Sequence, residues 1–314
     1  MTQVIVVGSG HWGKNLIRNF YELGSLAGVV EVSPPLQQRV QTQYPDVPLF
    51  TDFVEALATD VLAVVLATPA PTHYSLALVA LKAGKDVFVE KPMTLRAEEA
   101  RELATYAEAH DRILMVGHLL LYQPAIVWMR NYLNSGKAGQ VRHIATHRLN
   151  LGKVRTTENV WWSLAPHDIS IILDLLGNPK LQQVKASGHA RLQADIADEV
   201  HVDLTFESGQ TAHLHCSWQW PLKQRGLVAI ADEQMLVYDE IQQVVTVHNK
   251  RINTELAAVD HGTAIVDIAD AQPLKLECQH FLDCLKSRQF PHSDGWNGVA
   301  VMNILESVQE VLNG

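Results

Sequence analysis

The first third of the chain alternates short apolar runs with segments of helical periodicity. Several runs are apolar throughout and rich in β-branched residues, which is typical of parallel strands covered on both faces. Because each run is followed by a turn and a helical segment, the order predicts an α/β fold with a doubly wound, Rossmann-type parallel sheet. The predicted strands lie at 3–7, 26–32, 61–68, 85–90 and 112–118.

Farther along, the pattern changes to strict alternation. In 201–206 and 211–220 the even positions are apolar and the odd positions mostly polar, which predicts a hairpin with one buried face. Facing residues must share a face, so the loop holds an odd number of residues, and 207–209 fits if Gly209 is left-handed. Further strands are predicted at 228–240. Two amphipathic helices, at 274–288 and 295–312, are predicted to cover the inner face of this sheet.

Composition narrows the class of protein and of partner. The 314 residues are 47% hydrophobic and 19% charged, typical of a globular protein with two domains. A net charge of −9 without a basic cluster argues against nucleic acid and anionic membranes as partners. The three cysteines lack the spacing of a disulfide framework, and the first residues lack signal-peptide features. We therefore expect a cytoplasmic protein without a membrane span.

A glycine motif follows the first predicted strand. Gly8, Gly10 and Gly13 have the Gly-x-Gly-x-x-Gly spacing of a dinucleotide-binding turn. Glu31 ends the second strand at about the ~20-residue separation expected for the acid that binds a ribose 2′-hydroxyl. A carboxylate there repels a 2′-phosphate and no arginine follows it directly, so the sequence favours NAD over NADP. Two loop residues join this predicted cofactor site: His11 and Trp12.

Further residues belong to the same sheet edge. In open parallel sheets, ligands bind outside the carboxyl ends of the strands. Lys91 lies there, between a buried strand and a proline. Because partial desolvation lowers the pKa of a lysine, its amine can exchange a proton near neutral pH. The residues that we expect to contact the cofactor at these strand ends are Thr68, Pro69, His73, Glu90 and Lys91.

Several stretches resemble one oxidoreductase family. "ATPAPTH", "AGKDVFVEKPMT", "GHLLLYQPAI" and "WWSLAPHDISIILDLLG" are similar to motifs of the Gfo/Idh/MocA oxidoreductases, and the match covers nearly the whole chain. The resemblance implies a nicotinamide-dependent enzyme in a branch associated with nucleotide-sugar metabolism. It also implies a dinucleotide-binding domain at 1–121, then a substrate-binding and oligomerisation α+β domain at 122–314 with an open, mostly antiparallel sheet.

The resemblance assigns two catalytic residues. It implies that Lys91 contacts both the nicotinamide and the substrate hydroxyl, and that His167 faces the substrate as an acid/base or orienting group. Many members carry an aspartate four residues before this histidine, where this chain has Ser163, so no Asp–Lys–His relay is assumed. We place His167 at the start of a helix that ends at Gly177, with Asp168 capping and charging that start.

Four more residues are candidates for substrate binding, each with a structural alternative. Tyr122 either donates to a substrate hydroxyl or packs between the domains. Trp161 either stacks on a sugar or nicotinamide ring or fills the core. Arg148 and Arg155 either clamp a substrate diphosphate or carboxylate or form ordinary surface pairs.

The polar face of the predicted hairpin carries His201, His213 and His215. His213 and His215 are separated by about 7 Å along one strand, too far for a tight site, and no carboxylate cluster is evident. We therefore expect no metal, and we expect this face to contact another subunit of a homo-oligomer.

Together with the resemblance, these features predict an NAD-dependent oxidoreductase acting on CH–OH groups. The expected reaction is hydride transfer from a secondary hydroxyl of a sugar, plausibly the 3-position of a UDP-N-acetylhexosamine. Two alternatives stay open: a non-catalytic NAD-binding regulator of the same fold, and a reductase of a non-sugar carbonyl.

Overall fold

The computed structural model of the protein describes residues 2–314. They form two compact units. The first holds the chain up to Tyr122 together with Gln272–Met302, and the second holds Gln123–Ala271 with Asn303–Gly314. The domain boundary proposed from sequence stays a prediction, although it assigns 272–302 to the second domain and these residues cluster with the first unit.

The first unit contains the predicted parallel sheet, which confirms the α/β assignment. Its six strands pair in parallel in the order β3-β2-β1-β4-β5-β6, with four of them buried along their whole length. Continuous burial explains why these strands are apolar runs rather than alternating ones. The strands are β1 (Val4–Val7), β2 (Leu26–Val30), β3 (Leu49–Phe50), β4 (Ala63–Leu66), β5 (Asp86–Glu90) and β6 (Leu114–Gly117).

Helices connect these strands, and local signals account for their ends. The side chain of Asp52 caps one helix by accepting from the Val54 N–H at 2.6 Å. Another helix ends before Gly84, whose φ of 74° is left-handed. The helices of this unit include α1 (Gly13–Glu22), α2 (Pro34–Gln43), α3 (Phe53–Leu57), α4 (His73–Lys82), α5 (Ala97–Ala109) and α8 (Pro273–Ser287).

Helix α8 corrects one prediction. The sequence analysis places it on the inner face of the second sheet, but it packs within the first unit. The Phe281 ring lies 5.5 Å from that of Phe88 on β5, and Arg288 just after the helix donates to Asp86 at 3.1 Å. An amphipathic period specifies that a helix has an apolar face, but it does not specify which surface covers that face.

The second unit contains an eight-stranded sheet in the order β14-β13-β12-β11-β7-β10-β9-β8. Within residues 2–314, its strands pair antiparallel except for β7 with β10. This confirms the predicted mostly antiparallel sheet. The strands are β7 (Val141–Leu151), β8 (Leu181–His189), β9 (Glu199–Phe206), β10 (Thr211–Ser217), β11 (Gln219–Ala231), β12 (Met235–Asp239), β13 (Val244–Ile252) and β14 (Ala258–Val266).

The hairpin of β9 and β10 has the predicted register. Thr211 faces Thr205, Phe206 donates to the Gln210 carbonyl at 2.9 Å, and Gly209 has a φ of 81°. The even-numbered residues of both strands are buried and the odd-numbered ones, except Ser217 at the end of β10, reach the outer face. The three-residue loop therefore keeps the apolar side chains of both strands on one side of the sheet.

Helices α6 (Pro124–Asn134) and α7 (Val160–Leu176) belong to the second unit, and α7 covers the inner face of the sheet at β7, β9 and β10. The predicted start of α7 near His167 is wrong. Its cap is Asn159, whose side chain accepts from the Trp162 N–H at 3.1 Å, and Pro166 lies inside the helix. His167 is therefore a mid-helix residue, and Asp168 does not cap the helix. The end at Gly177, with φ 77°, is confirmed.

Helix α9 (Gly295–Asn313) contributes its residues up to Met302 to the first unit and the rest to the second. Among the helices described in residues 2–314, none combines the length and apolar character needed to cross a membrane.

Candidate active site

The glycine turn has the geometry that a dinucleotide needs. Gly8 has a φ of 91°, and a Cβ at Gly13 would lie 2.1 Å from the Gly8 carbonyl oxygen, so both positions require glycine. A Cβ at Gly10 would meet no atom of residues 2–314 within 4 Å. A side chain there would instead project in front of the N-terminus of α1, where the phosphates of a dinucleotide bind. The turn therefore fits a pyrophosphate.

Glu31 lies beside this turn and is buried. The backbone N–H and the hydroxyl of Ser9 both donate to Oε2 of Glu31 at 2.7 Å, and the Ser33 N–H donates to Oε1 at 2.9 Å. Burial alone would raise the pKa of Glu31, but these hydrogen bonds lower it below its usual value. The carboxylate is thus ionised and held against the loop, as an acceptor for ribose hydroxyls requires.

Arg39 is a residue at this site that sequence reasoning missed. Its guanidinium, on α2, donates to the Ser9 carbonyl. The sequence search considered only an arginine directly after Glu31, whereas Arg39 reaches the loop from the following helix. The glycine turn therefore has both a carboxylate and a cation at its edge.

His73 connects the ends of two neighbouring strands. It is buried, with Nε2 2.8 Å from the Thr68 carbonyl oxygen and Nδ1 2.8 Å from the Pro92 carbonyl oxygen. Burial lowers the pKa of His73 in spite of these two acceptors, so the neutral ring donates to one of them at a time. The ring holds together the loops that carry Thr68 and Lys91, whereas His11 and Pro69 are exposed.

Lys91 directly follows β5 and is half-buried. The carboxylate of Glu90 accepts from Nε1 of Trp12 in the glycine turn and from the Lys91 N–H at 3.2 Å. Burial raises the pKa of Glu90 to about 7, although the Trp12 hydrogen bond and the Lys91 charge act in the opposite direction. The glycine turn and Lys91 are therefore linked through one carboxyl group whose pKa lies near neutrality.

Two further buried groups interact electrostatically with this site, Glu277 with Glu90 and His118 with Lys91, and the sequence analysis named neither as a site residue. Neither oxygen of Glu277 on α8, nor either ring nitrogen of His118, has a hydrogen-bond partner within residues 2–314. Burial, and then the charge of Glu90, raise the pKa of Glu277 well above its usual range. Burial, and then the charge of Lys91, lower the pKa of His118 to about 3, so its ring is neutral. Near neutral pH the two carboxyl groups carry less than their full charge.

Gly117, at the end of β6, is required by this arrangement. A Cβ there would lie 3.0 Å from the carboxyl carbon of Glu90. The absence of a side chain on β6 leaves the space that the Glu90 carboxyl group occupies.

In the second unit, His167 lies half-buried on α7, and its carbonyl accepts from the Ser170 hydroxyl at 2.8 Å. The neighbouring Asp168 is buried and accepts from Arg148 at 2.7 Å, and Arg148 also donates to Glu240 at 2.8 Å. Asp168 therefore belongs to an ion network inside this unit.

Trp161 and Arg155 are placed as their structural alternatives predict, whereas Arg148 forms neither a surface clamp nor a surface pair. Arg148 is buried between two carboxylates, which leaves it no part in a surface clamp. Trp161 is fully buried and donates to the Leu305 carbonyl at 3.1 Å, so it fills the core rather than a binding surface. Tyr122 is buried against Ser293, with 3.1 Å between their hydroxyl oxygens. Arg155 is exposed, 3.8 Å from Glu158.

Comparison with known proteins matches this geometry to one family. A family model described as an oxidoreductase family with an NAD-binding Rossmann fold matches residues 2–118, and the GFO/IDH/MocA C-terminal domain matches residues 126–238. The chain belongs to the GFO/IDH/MocA oxidoreductase family. The resemblance stated from the sequence is thereby confirmed.

Relatives within the GFO/IDH/MocA family cover almost the whole chain. A UDP-N-acetylglucosamine 3-dehydrogenase of Acidithiobacillus ferrooxidans is 27% identical over 303 residues, 95% of this chain and 93% of its own. A solved structure of that enzyme has a TM-score of 0.88 at 27% identity and covers 99% of this chain and 97% of its own. An inositol 2-dehydrogenase of Burkholderia lata is 24% identical over 314 residues, 95% of this chain and 90% of its own.

A second solved structure is GenD2 from gentamicin A biosynthesis in complex with NAD, with a TM-score of 0.83 at 24% identity and coverage of 99% of this chain and 94% of its own. At that identity it shows the shared fold alone. Family membership and the matched relatives identify the chain as a nicotinamide-dependent oxidoreductase that acts on hydroxyl groups.

Proposed function

We propose that the protein is an NAD-dependent dehydrogenase that oxidises a secondary hydroxyl of a nucleotide sugar, of the UDP-N-acetylhexosamine type, at its 3-position. The observation that carries the general reaction is the link from the glycine turn through Trp12 and Glu90 to Lys91. The substrate class is supported by the similarity to the Acidithiobacillus ferrooxidans enzyme over nearly the full length of both chains.

The choice of NAD is supported by Glu31. Its ionised carboxylate, fixed by Ser9 and Ser33, can accept from both ribose hydroxyls but repels a 2′-phosphate. Arg39 acts in the opposite sense, but its guanidinium is engaged by the Ser9 carbonyl. We therefore expect Glu31→Ser to raise the NADP-to-NAD ratio of kcat/KM by about tenfold, or about 1.4 kcal/mol.

In this proposal, the glycine turn and Glu31 would hold a nicotinamide dinucleotide, which would supply the acceptor for the hydride of the carbinol carbon. Lys91 takes the hydroxyl proton as the C–O bond becomes a carbonyl, and in the reverse direction its ammonium group stabilises the developing alkoxide. Glu90 and Glu277 modulate the charge next to Lys91, because their own ionisation is incomplete near neutral pH. His167 is proposed, from the family resemblance, to orient the substrate hydroxyl. Ser163 cannot relay a proton as an aspartate would.

We further propose a cytoplasmic homo-oligomer that forms through the outer face of the second sheet at β11–β14, at the opposite end of the sheet from the β9–β10 hairpin. The cysteines are free thiols, as in a reducing compartment. On this face half-buried Val228 and Val237 and exposed Ile265 lie in one cross-strand row, interrupted by Thr246 on β13, and a second copy would cover this mainly apolar strip. Light scattering of Val237→Lys against wild type tests this arrangement, since a monomeric wild type contradicts it.

The test of the function is direct assay with UDP-N-acetylglucosamine and NAD, following NADH absorbance and the loss of two hydrogens from the sugar by mass spectrometry. Myo-inositol and free N-acetylglucosamine serve as comparison substrates. We expect Lys91→Ala to lower kcat by about 10²–10⁴-fold while NADH binding persists. The control is Lys82→Ala at an exposed position at the end of α4, which should leave both kcat and NADH binding unchanged.

The outcomes separate the alternatives. Oxidation of myo-inositol but not of the nucleotide sugar contradicts the substrate class alone. A wild type that binds NADH yet turns over no sugar or keto-sugar supports the non-catalytic regulator. The feature of the chain that favours this alternative is Ser163, which stands where many family members have an aspartate. A Lys91→Ala variant with wild-type kcat removes Lys91 from the chemistry.

A further inference from the structure

The outer face of the second sheet brings a carboxylate and two imidazoles together. In the register of β9 and β10, His201 and His215 are directly opposite each other, and Glu199 lies two residues before His201 on the same face. The two imidazole rings stack with centroids 4.0 Å apart and planes inclined by 19°. Three metal-ligating side chains thus come from two hydrogen-bonded strands and lie wholly within one unit.

The distances match those between ligands of one small cation. Oε1 of Glu199 lies 3.0 Å from Nε2 of His215 and 3.6 Å from Nε2 of His201. All three ligand atoms lie within 4.8 Å of one another. In tetrahedral coordination with bonds of 2.0–2.1 Å, neighbouring ligand atoms are about 3.3 Å apart. The two distances from Oε1 bracket this value, but the stacked imidazoles direct their Nε2 lone pairs along nearly parallel planes, so both rings must rotate about their side-chain torsions to bind one ion.

The surroundings favour a cation at Oε1 rather than elsewhere on the carboxylate. Arg191 donates to Oε2 of Glu199 and lies 3.6 Å from Asp198, so it neutralises the other side of the carboxylate. His213 is engaged by Asp203 at 2.8 Å, which removes it from the cluster. The side chains of Glu199, His201 and His215 are 12%, 37% and 16% exposed, so a cation can enter from solvent and keep a water ligand.

The sequence analysis rejected a metal because it measured His213 against His215 along one strand. The structural cluster uses a cross-strand pair instead, and the carboxylate comes from Glu199, which the sequence did not single out. Directly opposite residues on antiparallel strands lie closer than residues two apart on one strand, about 4.5–5.5 Å between Cβ atoms against about 7 Å.

We propose that Glu199, His201 and His215 form a binding site for a divalent transition-metal ion of the zinc class, with water as the fourth ligand. Two imidazoles and one carboxylate suit Zn²⁺, Co²⁺, Ni²⁺ or Cu²⁺, whereas Mg²⁺ and Ca²⁺ prefer all-oxygen sites. The ion joins β9 to β10 by side-chain ligands and stabilises the folded state, since the unfolded chain lacks the preformed site.

The experiment uses full-length protein without an affinity tag, because a polyhistidine tag would itself bind the probe. Metal is removed with a chelator and the chain is titrated with Co²⁺, followed by its visible absorption and then by displacement with Zn²⁺. We expect saturation at about one ion per chain. Differential scanning calorimetry should show a higher Tm with Zn²⁺ than with chelator.

Variants locate the site. Loss of an outer-shell partner typically weakens metal affinity by 10–100-fold, so loss of a ligand in His201→Ala, His215→Ala or Glu199→Gln should weaken it by at least about tenfold. His248→Ala is the matched control, because His248 lies on the same sheet at β13, outside the cluster, and should bind as wild type does. Circular dichroism of each variant establishes that it is folded.

Two results overturn the proposal: no saturable Co²⁺ binding by folded wild type, or affinity and Zn²⁺-dependent Tm that are unchanged in a folded His201→Ala/His215→Ala double variant. Mg²⁺ that competes with Co²⁺ at equal concentration also contradicts the assigned metal class. Binding of NADH lies outside this test, so failure of the dehydrogenase proposal and failure of the metal proposal are distinguishable.

Discussion

Two regions bury charge in opposite ways. In the second unit, Arg148 is placed between Asp168 and Glu240 with hydrogen bonds of 2.7 and 2.8 Å. In the first unit, Glu90 and Glu277 are two acids in one buried region, and Glu277 has no hydrogen-bond partner within residues 2–314. The first arrangement compensates its charges; the second does not. An uncompensated buried acid is costly, so it indicates a site kept for chemistry rather than for stability.

The largest loss of stability is expected when the cation that compensates buried carboxylates is removed. Arg148→Met leaves Asp168 buried without its hydrogen-bonded cation, whereas Glu240 keeps Arg225 at 3.2 Å, and we expect a loss of about 3–5 kcal/mol in the free energy of unfolding. Denaturant unfolding of the variant against wild type measures this. A loss below 1 kcal/mol would show that the two carboxylates are readily protonated or rehydrated, and the contrast between the regions would disappear.

The next effect is on the pH dependence of stability, and here the substitution is expected to reduce a loss of stability rather than to cause one. Burial raises the pKa of Glu90 from its usual 4.5 to about 7, so its protonated form stabilises the fold fully below about pH 4.5, and this contribution is lost as pH rises through 7. The loss is at most about 3 kcal/mol. Glu277→Gln removes a second buried acid, whose pKa the charge of Glu90 raises, and should flatten this decline between pH 5 and 8.

The measurement is the free energy of unfolding at several pH values for wild type and Glu277→Gln, with Glu306→Gln on α9 as the control. If the free energy of unfolding has the same slope against pH in wild type and in Glu277→Gln, the carboxyl groups of Glu90 and Glu277 do not interact.

A smaller effect is expected from the hydrogen bond between the glycine turn and Glu90. Trp12→Phe keeps an aromatic ring but removes the N–H donor, which should raise the pKa of Glu90 further and cost about 1–2 kcal/mol in stability. The pH profile of kcat/KM should shift to higher pH by the same change in Glu90. An unshifted profile would separate Glu90 from the titration that controls activity.

The smallest effect is expected for an exposed ion pair. Arg142 donates to Asp232 at 2.7 Å, but its side chain is 57% exposed. Arg142→Ala should change the free energy of unfolding by less than about 1 kcal/mol, and added salt should reduce even that difference. A loss comparable to that of Arg148→Met would show that geometry rather than burial sets the value of an ion pair in this protein.

Sequence reasoning did well where one short segment carries the signal. The parallel strands, the glycine turn with Glu31, the Gly209 loop and the Gly177 end of α7 each follow from local periodicity or backbone freedom. It failed at the start of α7, where Pro166 resembles a boundary although Asn159 supplies the cap. Proline is tolerated there inside a long helix packed on a sheet, and propensity alone does not include that packing.

By itself, the sequence determined that this chain builds a dinucleotide-binding sheet with a lysine at its edge and belongs among nicotinamide-dependent oxidoreductases, because these features are encoded in contiguous motifs. Only the tertiary structure decided that Glu277 lies beside Glu90, that Arg148 and Trp161 are interior residues, and that Glu199 joins His201 and His215. Each of these depends on residues distant along the chain that meet through packing and register, and no local pattern records that meeting.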